Sequence, residues 1–436
     1  MSELDNIAKF YKDQYRTTVF VGVHVIPMDS ERILKDQIVI IRDGIISEMG
    51  TEDEVQIPDS CQIVMAFGKY LMPGLSDMHV HITNEKDLIL FLAQGVTTVQ
   101  NMWGYTGFLR LLGFPNALSL KEKVNQRKLL GPWIITSGPV LEGIEKTHPF
   151  MFRIRTAKQG AREVVKQKKK GYDFIKVYDH LQPETYHGIM TAAQQTGLPV
   201  KGHVPFQVGL DTVLVFGQKS IEHLTGYIDP DEARFRILES QINDYARKTR
   251  EANVWNCPTV TVWQKIVSPD HIEMLYKHPG MRYLSGMQRF FLKRSINAMR
   301  GNRTYTGDDY PSRMATIGYK MIKALHEEGA GLLLGTDAGN PFVFPGWSVH
   351  EELQHLVNAG LTPFEAIQTG TINAAKSLNM SDQFGTVAVG KQADLILLEE
   401  NPLEDVSRIK DPFAVMVNGT FLTRIRIDEM LKSLVD

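Results

Sequence analysis

The sequence predicts an α/β protein in which a (β/α)8 TIM-type barrel carries a small β-sandwich domain formed from both chain ends. Two observations support the barrel: strand and helix patterns alternate in units of roughly 30 to 40 residues, and eight strand-like segments lie in the middle of the chain. The third observation is that about 70 residues at the start and about 50 at the end read as short strands. A chain of 436 residues is long enough for a barrel and a satellite domain.

We expect the composite β-sandwich domain over residues 1–73 plus 384–436 and the barrel over residues 74–383. Asp43-Gly44 and Asn418-Gly419, one near each chain end, are typical of two-residue hairpin turns. The eight candidate barrel strands are LSDMHVHI, TTVQNM, WIITSGP, YDFIKVY, LPVKGHV, KSIEHL, NVWNCPTV and GLLLGTD.

Helix signals lie between these strands. The segment PETYHGIMTAAQQTG begins with a proline suited to a first turn and ends on Gly197, a favourable C-terminal cap. In LTPFEAIQ, Thr362 and Glu365 form a capping-box pattern. Residues 263–311 show no strand pattern and look largely helical. Because this insertion follows the seventh strand, we expect it at the catalytic face, as a lid, an oligomer contact or a structural elaboration of no catalytic consequence.

Composition excludes several classes of protein. Hydrophobic residues make up 43% and charged residues 22%, as in soluble globular proteins, and the formal charge of −2 gives no field that attracts nucleic acid or anionic membranes. The basic run Lys166–Lys170 fits the solvated end of a helix, and Cys61 and Cys257 fit buried reduced thiols. No secretion signal or apolar membrane segment is recognisable. We expect a cytoplasmic homo-oligomer with a small-molecule substrate and neither nucleic-acid nor membrane partners.

Four histidines and one aspartate lie near the carboxyl ends of candidate strands. His79 and His81 lie on the same side of one strand, because side chains two residues apart point the same way. His203 ends the fifth strand, His223 the sixth and Asp337 the eighth. Catalytic residues of such barrels cluster at the carboxyl ends of several strands. Histidines of the core without a function would explain any one of these positions, but they explain all five poorly.

Lys176 lies inside the apolar strand FIKVY, where an unpaired lysine is costly to bury. Burial lowers the pKa of a lysine, so a neutral or modified, anionic side chain beside a metal is one interpretation. A salt bridge across the barrel is the alternative.

These residues, in this order, resemble the amidohydrolase superfamily, and within it the imidazolonepropionase-like and prolidase-like branch. The motifs that carry the resemblance span nearly the whole chain: LMPGLSDMHVHI, ITSGPVLEG, FIKVY, GHVP, IEHL, GTDAG and GTVAVGKQADLILLEENPLEDV. The resemblance implies two divalent metal ions, with Zn2+ expected and Mn2+ or Fe2+ as alternatives. One ion would be held by His79, His81 and Asp337, and the other by His203 and His223. Lys176 would be N6-carboxylysine and would bridge both ions.

The resemblance also implies hydrolysis by a hydroxide that bridges the ions, with Asp337 as the proton shuttle. Tyr227, four residues beyond His223, and His148, in the loop after the third strand, could bind the scissile carbonyl or a substrate carboxylate. The alternative for each is a side chain without such a role. Three aromatic residues after Asp337 either wall the pocket or serve packing: Phe342, Phe344 and Trp347.

We therefore expect cleavage of a C–N bond in a small amide such as a dipeptide or an N-acyl amino acid. Two departures from related dipeptidases put dipeptide cleavage in question. Gln100–Gly104 stands where they often carry an Arg-Asp pair followed by Met-Gly-Gly, and EGIEKTHPF replaces their Gly-Gly-His-Gly loop. The alternatives are a cyclic-amide hydrolase or deaminase, a lactonase or esterase, and a non-catalytic assembly protein. Lys176 favours two-metal cleavage of an amide or ester, because the deaminase-like relatives often lack the bridging lysine.

Overall fold

The computed structural model describes residues 16–145, 150–228, 239–265, 272–301 and 310–435. Its strands are β1 (Thr17–Val25), β2 (Leu34–Arg42), β3 (Ile45–Gly50), β4 (Gln62–Met65), β5 (Tyr70–Pro73), β6 (Leu75–Val80), β7 (Val96–Asn101), β8 (Trp133–Thr136), β9 (Leu141–Glu142), β10 (Phe152–Arg153), β11 (Ile175–Val177), β12 (Val200–Gly202), β13 (Ser220–Glu222), β14 (Trp255–Cys257), β15 (Leu395–Leu398), β16 (Ala414–Val417) and β17 (Thr420–Thr423).

The α-helices are α1 (Asp87–Ala93), α2 (Phe108–Leu111), α3 (Ala117–Asn125), α4 (Ala157–Lys170), α5 (Pro183–Thr196), α6 (Leu210–Phe216), α7 (Glu239–Glu251), α8 (Val260–Lys265), α9 (Ile272–Tyr276), α10 (Gly286–Gly301), α11 (Tyr310–Glu327), α12 (Trp347–Asn358), α13 (Pro363–Thr369), α14 (Ile372–Ser377) and α15 (Arg424–Ser433). Two short 3-10 helices cover Pro279–Tyr283 and Val406–Ile409. No helix of these ranges has the length and apolar character that a lipid bilayer requires.

Strands from both ends of the chain pair in one sheet. Its strand order is β17-β16-β15-β5-β1-β2-β3, and β4 also pairs with β1. β15 runs antiparallel to β5, with Leu395 opposite Pro73. The turns at Asp43-Gly44 and Asn418-Gly419 have positive φ at all four residues, as two-residue hairpins of this kind require. Hydrogen bonding assigns all eight strands to a single sheet, so the two-layer sandwich and the domain limits stay predictions.

The middle of the chain forms two parallel sheets, of order β6-β7-β8 and β10-β9-β11-β12-β13-β14. Single bridges connect their edges: Ser137 pairs with Phe174, Asn256 with Leu332, and Val80 with Ala338. Seven of the eight predicted strands are confirmed as β6, β7, β8, β11, β12, β13 and β14. The short pair β9 and β10 was not foreseen.

The prediction of a regular eighth strand in GLLLGTD was wrong. This buried segment makes only isolated bridges, because its backbone divides its hydrogen bonds among several neighbours. The amide of Leu333 donates to Asn256 of β14, that of Leu334 to Thr369 of α13, and that of Asp337 to His79 of β6. The bonds with β14 and β6 form single bridges and do not continue as a regular ladder.

The predicted helix signals are confirmed. α5 begins at Pro183 and ends before Gly197, whose φ of 64° is left-handed. Thr362 and Glu365 form both hydrogen bonds of a capping box at the start of α13. The basic run ends α4, and Lys168, Lys169 and Lys170 are exposed. Cys257 is buried and Cys61 partly buried, and both thiols are free.

The insertion after β14 is helical in its described parts, as predicted, while residues 266–271 and 302–309 lie outside the described residues. It packs against the segment that follows Asp337 through three ring pairs, with centroids 5.4, 4.4 and 5.5 Å apart: Tyr276–Phe342, His278–Phe344 and Tyr283–Trp347. On its other side, Gln288 Nε2 donates to Thr83 Oγ1 at 2.8 Å. The insertion therefore joins the loops after the first and last strand segments of the barrel region.

Candidate metal centre

Neighbouring strands bring the candidate ligands to one place. His79 is the fifth residue of β6, and His81 follows the end of that strand. His203 and His223 directly follow β12 and β13, which are parallel neighbours. The amide of Asp337 donates to the carbonyl of His79 at 2.7 Å, which fixes the last segment beside the first strand.

Distances among the side chains define a compact cluster around Asp337. Its Oδ1 lies 2.9 Å from Nε2 of His81 and 3.4 Å from Nε2 of His79, while its Oδ2 lies 3.8 Å from Nε2 of His223. Potential ligand atoms of His79, His223 and Asp337 all lie within 4.8 Å of one another. The ring of His203 joins them, with its centroid 4.9 Å from that of His223.

Lys176, in β11, belongs to the same centre. Its side chain is buried, and Nζ makes no hydrogen bond with any residue in the described ranges. Burial lowers the pKa of Lys176, although the nearby carboxylates of Glu222 and Asp337 oppose this. Its charge also contributes to the low pKa of His79, so the two groups are electrostatically coupled.

Three of the four histidines are held by a partner at Nδ1, the ring nitrogen farther from the cluster centre. In His79, Nδ1 lies 2.7 Å from Oε2 of Glu222. In His203 it lies 2.6 Å from Oδ1 of Asp179, and in His223 it lies 2.5 Å from Oγ1 of Thr259. Hydrogen bonds of this kind orient metal-ligating histidines. The buried Nε2 atoms of His79 and His203 have no hydrogen-bond partner among the described residues, so this donor set fits a metal ion.

The protonation states suit metal binding as well. Burial and the charge of Lys176 lower the pKa of His79 to about 4, and burial lowers the pKa of His223 well below its usual value. Both imidazoles are therefore neutral near pH 7, the form in which histidine binds metal. Burial disfavours ionisation of Asp337, but His79, His223 and His81 outweigh it and hold its pKa far below the usual range.

Glu222 and Cys257 form a second group of potential ligands behind His79. The carboxylate of Glu222 is already engaged, since it bonds with Nδ1 of His79 and accepts from Ser220 Oγ. Burial raises the pKa of Cys257 well above its usual value, so the thiol stays protonated and is a poor metal ligand. Of the two groups, the one that contains Asp337 is therefore the one available to bind a metal ion.

The sequence did not reveal the partners Glu222, Asp179 and Thr259. Each comes from a strand end far along the chain from its histidine, 143 residues in the case of Glu222 and His79. Two signals were present, because Glu222 directly precedes His223 in IEHL and Asp179 closely follows Lys176. A carboxylate next to a candidate ligand at a strand end is the pattern to look for.

Of the two further catalytic candidates, the structure describes only Tyr227, whose hydroxyl bonds with residues outside the cluster. Tyr227 is 2% exposed, and its hydroxyl lies 2.8 Å from both Thr249 Oγ1 of α7 and Asn256 Oδ1 of β14. His148 lies outside the described residues. The role of each in catalysis stays a prediction.

Aromatic rings from two loops and from helix α8 lie around the histidines. Trp103 lies 6.2 Å from His81, Tyr178 4.0 Å from His203, and Trp263 6.3 Å from His223, measured between ring centroids. They surround the polar cluster with apolar surface, which strengthens electrostatic interactions by lowering the local dielectric constant.

The unusual polar residues before Trp103 have structural roles. Gln100 Nε2 donates to the carbonyl of Met78 at 2.7 Å. Asn101 Oδ1 accepts from the amide of Ile82 at 2.9 Å and so supports the chain just after His81. These residues, which depart from the dipeptidase pattern, therefore support the first barrel strand and the chain that follows it.

Comparisons with known proteins agree with this geometry. The amidohydrolase family model matches residues 70–422. The chain is 24% identical to ochratoxinase from Aspergillus niger, over 92% of this chain and 85% of the relative. Among solved structures, bottromycin amidohydrolase has a TM-score of 0.79 and 25% identity, covering 99% of this chain and 92% of that one. A Xaa-Pro dipeptidase with bound methionine has a TM-score of 0.70 and 19% identity, covering 93% and 100%.

The solved structures identify the fold as an α/β barrel of the TIM type, in which single bridges replace part of the strand ladder. The family match covers most of the chain, including every candidate ligand, and the resemblance predicted from the motifs is confirmed. This chain belongs to the amidohydrolase family.

Proposed function

We propose that the protein is a metal-dependent hydrolase that cleaves the C–N bond of a small amide, such as a dipeptide or an N-acyl amino acid. The observation that carries this proposal is the convergence of His79, His223 and Asp337, whose ligand atoms lie within 4.8 Å of one another in a buried site. Ochratoxinase, bottromycin amidohydrolase and the Xaa-Pro dipeptidase support the same class of reaction.

The donor set suits two divalent ions, with zinc as the expected metal. His79, His81 and Asp337 would hold one, and His203 with His223 the other. When bound, the ions would lower the pKa of water and polarise the scissile carbonyl. With both ions bound, their positive charge would exceed the negative charge of Asp337 and a carboxylated Lys176, and this net positive charge would suit an oxyanion.

Asp337 is the residue we assign to proton transfer. Its Oδ1 lies near His81 and His79, whereas Oδ2 lies 3.8 Å from Nε2 of His223. The carboxylate is ionised across the working pH range, because its pKa is held far below the usual value. It would take a proton from the attacking water and return it to the leaving amine.

We assign the bridging position to a carboxylated Lys176. Burial favours the neutral amine that can attack carbon dioxide, forming an N–C bond and releasing one proton. The product is an anion, and two cations beside it would stabilise that charge in a buried site.

A substrate screen with metal analysis tests the proposal. The zinc-loaded protein would be assayed against dipeptides, N-acyl amino acids, cyclic ureas and lactones. We expect about two metal equivalents and turnover of amides, both strongly reduced in His223→Ala. His187→Ala is the matched control, because His187 is exposed on α5 and packs on Phe216.

Each outcome bears on one alternative. Hydrolysis of lactones or esters alone would overturn amide cleavage, and turnover of cyclic amides alone would favour the cyclic-amide hydrolase. Absence of bound metal together with absence of turnover would favour the non-catalytic assembly protein.

A further inference from the structure

Thr259 has a backbone conformation that its residue type rarely adopts. It lies between β14 and α8, is fully buried, and has a φ of 51° although it is not glycine. Positive φ is unfavourable for every L-residue and especially for β-branched ones, in which Cβ crowds the backbone. Such strain persists where surrounding structure imposes it, and it is concentrated at functional sites.

The side chain of Thr259 does not cap the helix that follows it. Thr259 directly precedes α8, where a threonine normally has an extended backbone and caps the amides of the first turn. Here its hydroxyl instead lies 2.5 Å from Nδ1 of His223, and this is its one hydrogen bond in the described part of the chain.

Glu352 of α12 takes over the capping of α8. Its buried carboxylate accepts from the amide of Val260 at 2.9 Å and from the amide and hydroxyl of Thr261, both at 2.8 Å. These three bonds hold the chain on the C-terminal side of Thr259, while β14 holds it on the other side. The left-handed turn is thus fixed from both directions, and the threonine hydroxyl is left to His223.

His223 also has a left-handed backbone conformation. Its φ is 60° and that of Leu224 is 54°, so the ring is carried by a strained turn directly after β13. The other two oriented histidines bond with carboxylates, Glu222 and Asp179, whereas His223 bonds with a hydroxyl. An ionised carboxylate can only accept and so places a proton on Nδ1, whereas a hydroxyl can donate or accept.

We propose that Thr259 is a positioning residue for the second metal position: held left-handed by Glu352, it accepts a hydrogen bond from Nδ1 of His223 and aims Nε2 at the ion shared with His203. This inference rests on the proposed function. It also makes the second position the weaker of the two, because a hydroxyl fixes the ring tautomer less firmly than a carboxylate.

Metal affinity of three variants tests the inference. Thr259→Val keeps the side-chain shape without the hydroxyl, and Thr259→Ser keeps the hydroxyl. The control is Thr369→Val, in which a buried threonine that bonds with the carbonyl of Ala366 loses its hydroxyl. Zinc would be titrated into each metal-free protein against a chromophoric chelator, which yields a separate dissociation constant for each equivalent.

We expect Thr259→Val to bind the first equivalent as the parent does and the second about 10- to 100-fold more weakly. Thr259→Ser should stay within about threefold of the parent for both, and Thr369→Val should match the parent. If Thr259 had only a structural role, its substitution by valine would not weaken the second zinc equivalent more than the first. Equal affinity of parent and Thr259→Val for the second equivalent would overturn the inference and leave the proposed function intact.

Thr259→Gly keeps the test decisive if the valine variant does not fold, because glycine adopts positive φ without strain. We expect the same loss at the second equivalent, with the unfolding temperature of the metal-free protein within about 3 °C of the parent. Unchanged metal binding with a lower unfolding temperature would show a structural role and overturn the inference. A parent protein that binds no zinc at all would instead refute the proposed function.

Discussion

Lys176 is the residue on which the proposed two-ion centre depends, because its buried Nζ has no hydrogen-bond partner among the described residues. If it is carboxylated, metal loading should depend on bicarbonate, and Lys176→Ala should lose most activity. Added formate or acetate should restore part of that activity by filling the vacated space. Lys176→Arg should not be rescued, because a permanent cation would occupy the same space. A crystal structure of the active, metal-loaded protein, in which the ions stay bound, checks the modification, and an unmodified amine there would contradict it.

Tyr227 offers a second test at the level of one residue. Both hydrogen bonds of its hydroxyl connect α7 and β14, so its removal should act on stability. We expect Tyr227→Phe to lower the free energy of unfolding by about 1–3 kcal/mol, because Asn256 loses a buried partner. The rate constant kcat should change by less than about fivefold. Urea unfolding and steady-state kinetics measure both, and a hundredfold loss of kcat at unchanged stability would instead support the catalytic role.

The sequence predicts ligands better than it predicts the residues that orient them. His79, His81, His203, His223 and Asp337 share one rule, because each stands at or just after the carboxyl end of a buried strand segment. No such rule reaches Thr259, whose role depends on a left-handed backbone and on a helix almost a hundred residues away. Spacing along the chain carries no information about contacts of that kind.

At the scale of elements, Glu352 is the contact between α12 and the start of α8. Burial raises its pKa to about 7, although the hydrogen bonds from Thr261 and Val260 oppose this. In an unfolded chain the ordinary pKa is 4.5. Between these values the unfolded chain loses its proton while the folded protein keeps it, so stability falls as the pH rises through this window.

Glu352→Gln should therefore remove part of the pH dependence of folding. The parent is expected to lose up to about 3 kcal/mol of unfolding free energy between pH 4.5 and 7 through this one group. The glutamine variant should lack that decline. Urea unfolding of both metal-free proteins at a series of pH values measures the difference, and parallel profiles would argue against the assignment.

Helices were easier to predict than the last strand for a physical reason. A cap is local: Gly197 and the pair Thr362 and Glu365 satisfy backbone groups within a few residues, so the sequence shows them directly. The segment after α11 has the composition of a strand, but its pairing depends on three distant neighbours. Composition indicated a strand at this place, but it could not show how the backbone hydrogen bonds are distributed.

At the scale of the whole molecule, bound metal should stabilise the fold, because the ligands come from β6, β12, β13 and the segment that ends at Asp337. Zinc at a hundredfold excess over its dissociation constant would add about 2.7 kcal/mol. We expect chelation to lower the unfolding temperature and zinc to restore it in a concentration-dependent way. Calorimetry of the parent and His203→Ala measures this, and an equal zinc-dependent shift in both would contradict the assignment of His203 as a ligand.

The pairing of β5 with β15 also has a consequence for biosynthesis. Lys69 and Glu399, which form an ion pair beside this seam, lie 330 residues apart in the chain. At ribosomal rates of roughly 5 to 20 residues per second, the amino-terminal strands of a nascent chain wait about 15 to 70 s for their partner. During that time the edge of β5 is open to any other extended polypeptide. Chaperone supply and slow, cool expression should therefore govern the yield of this protein more than the stability of its finished fold does.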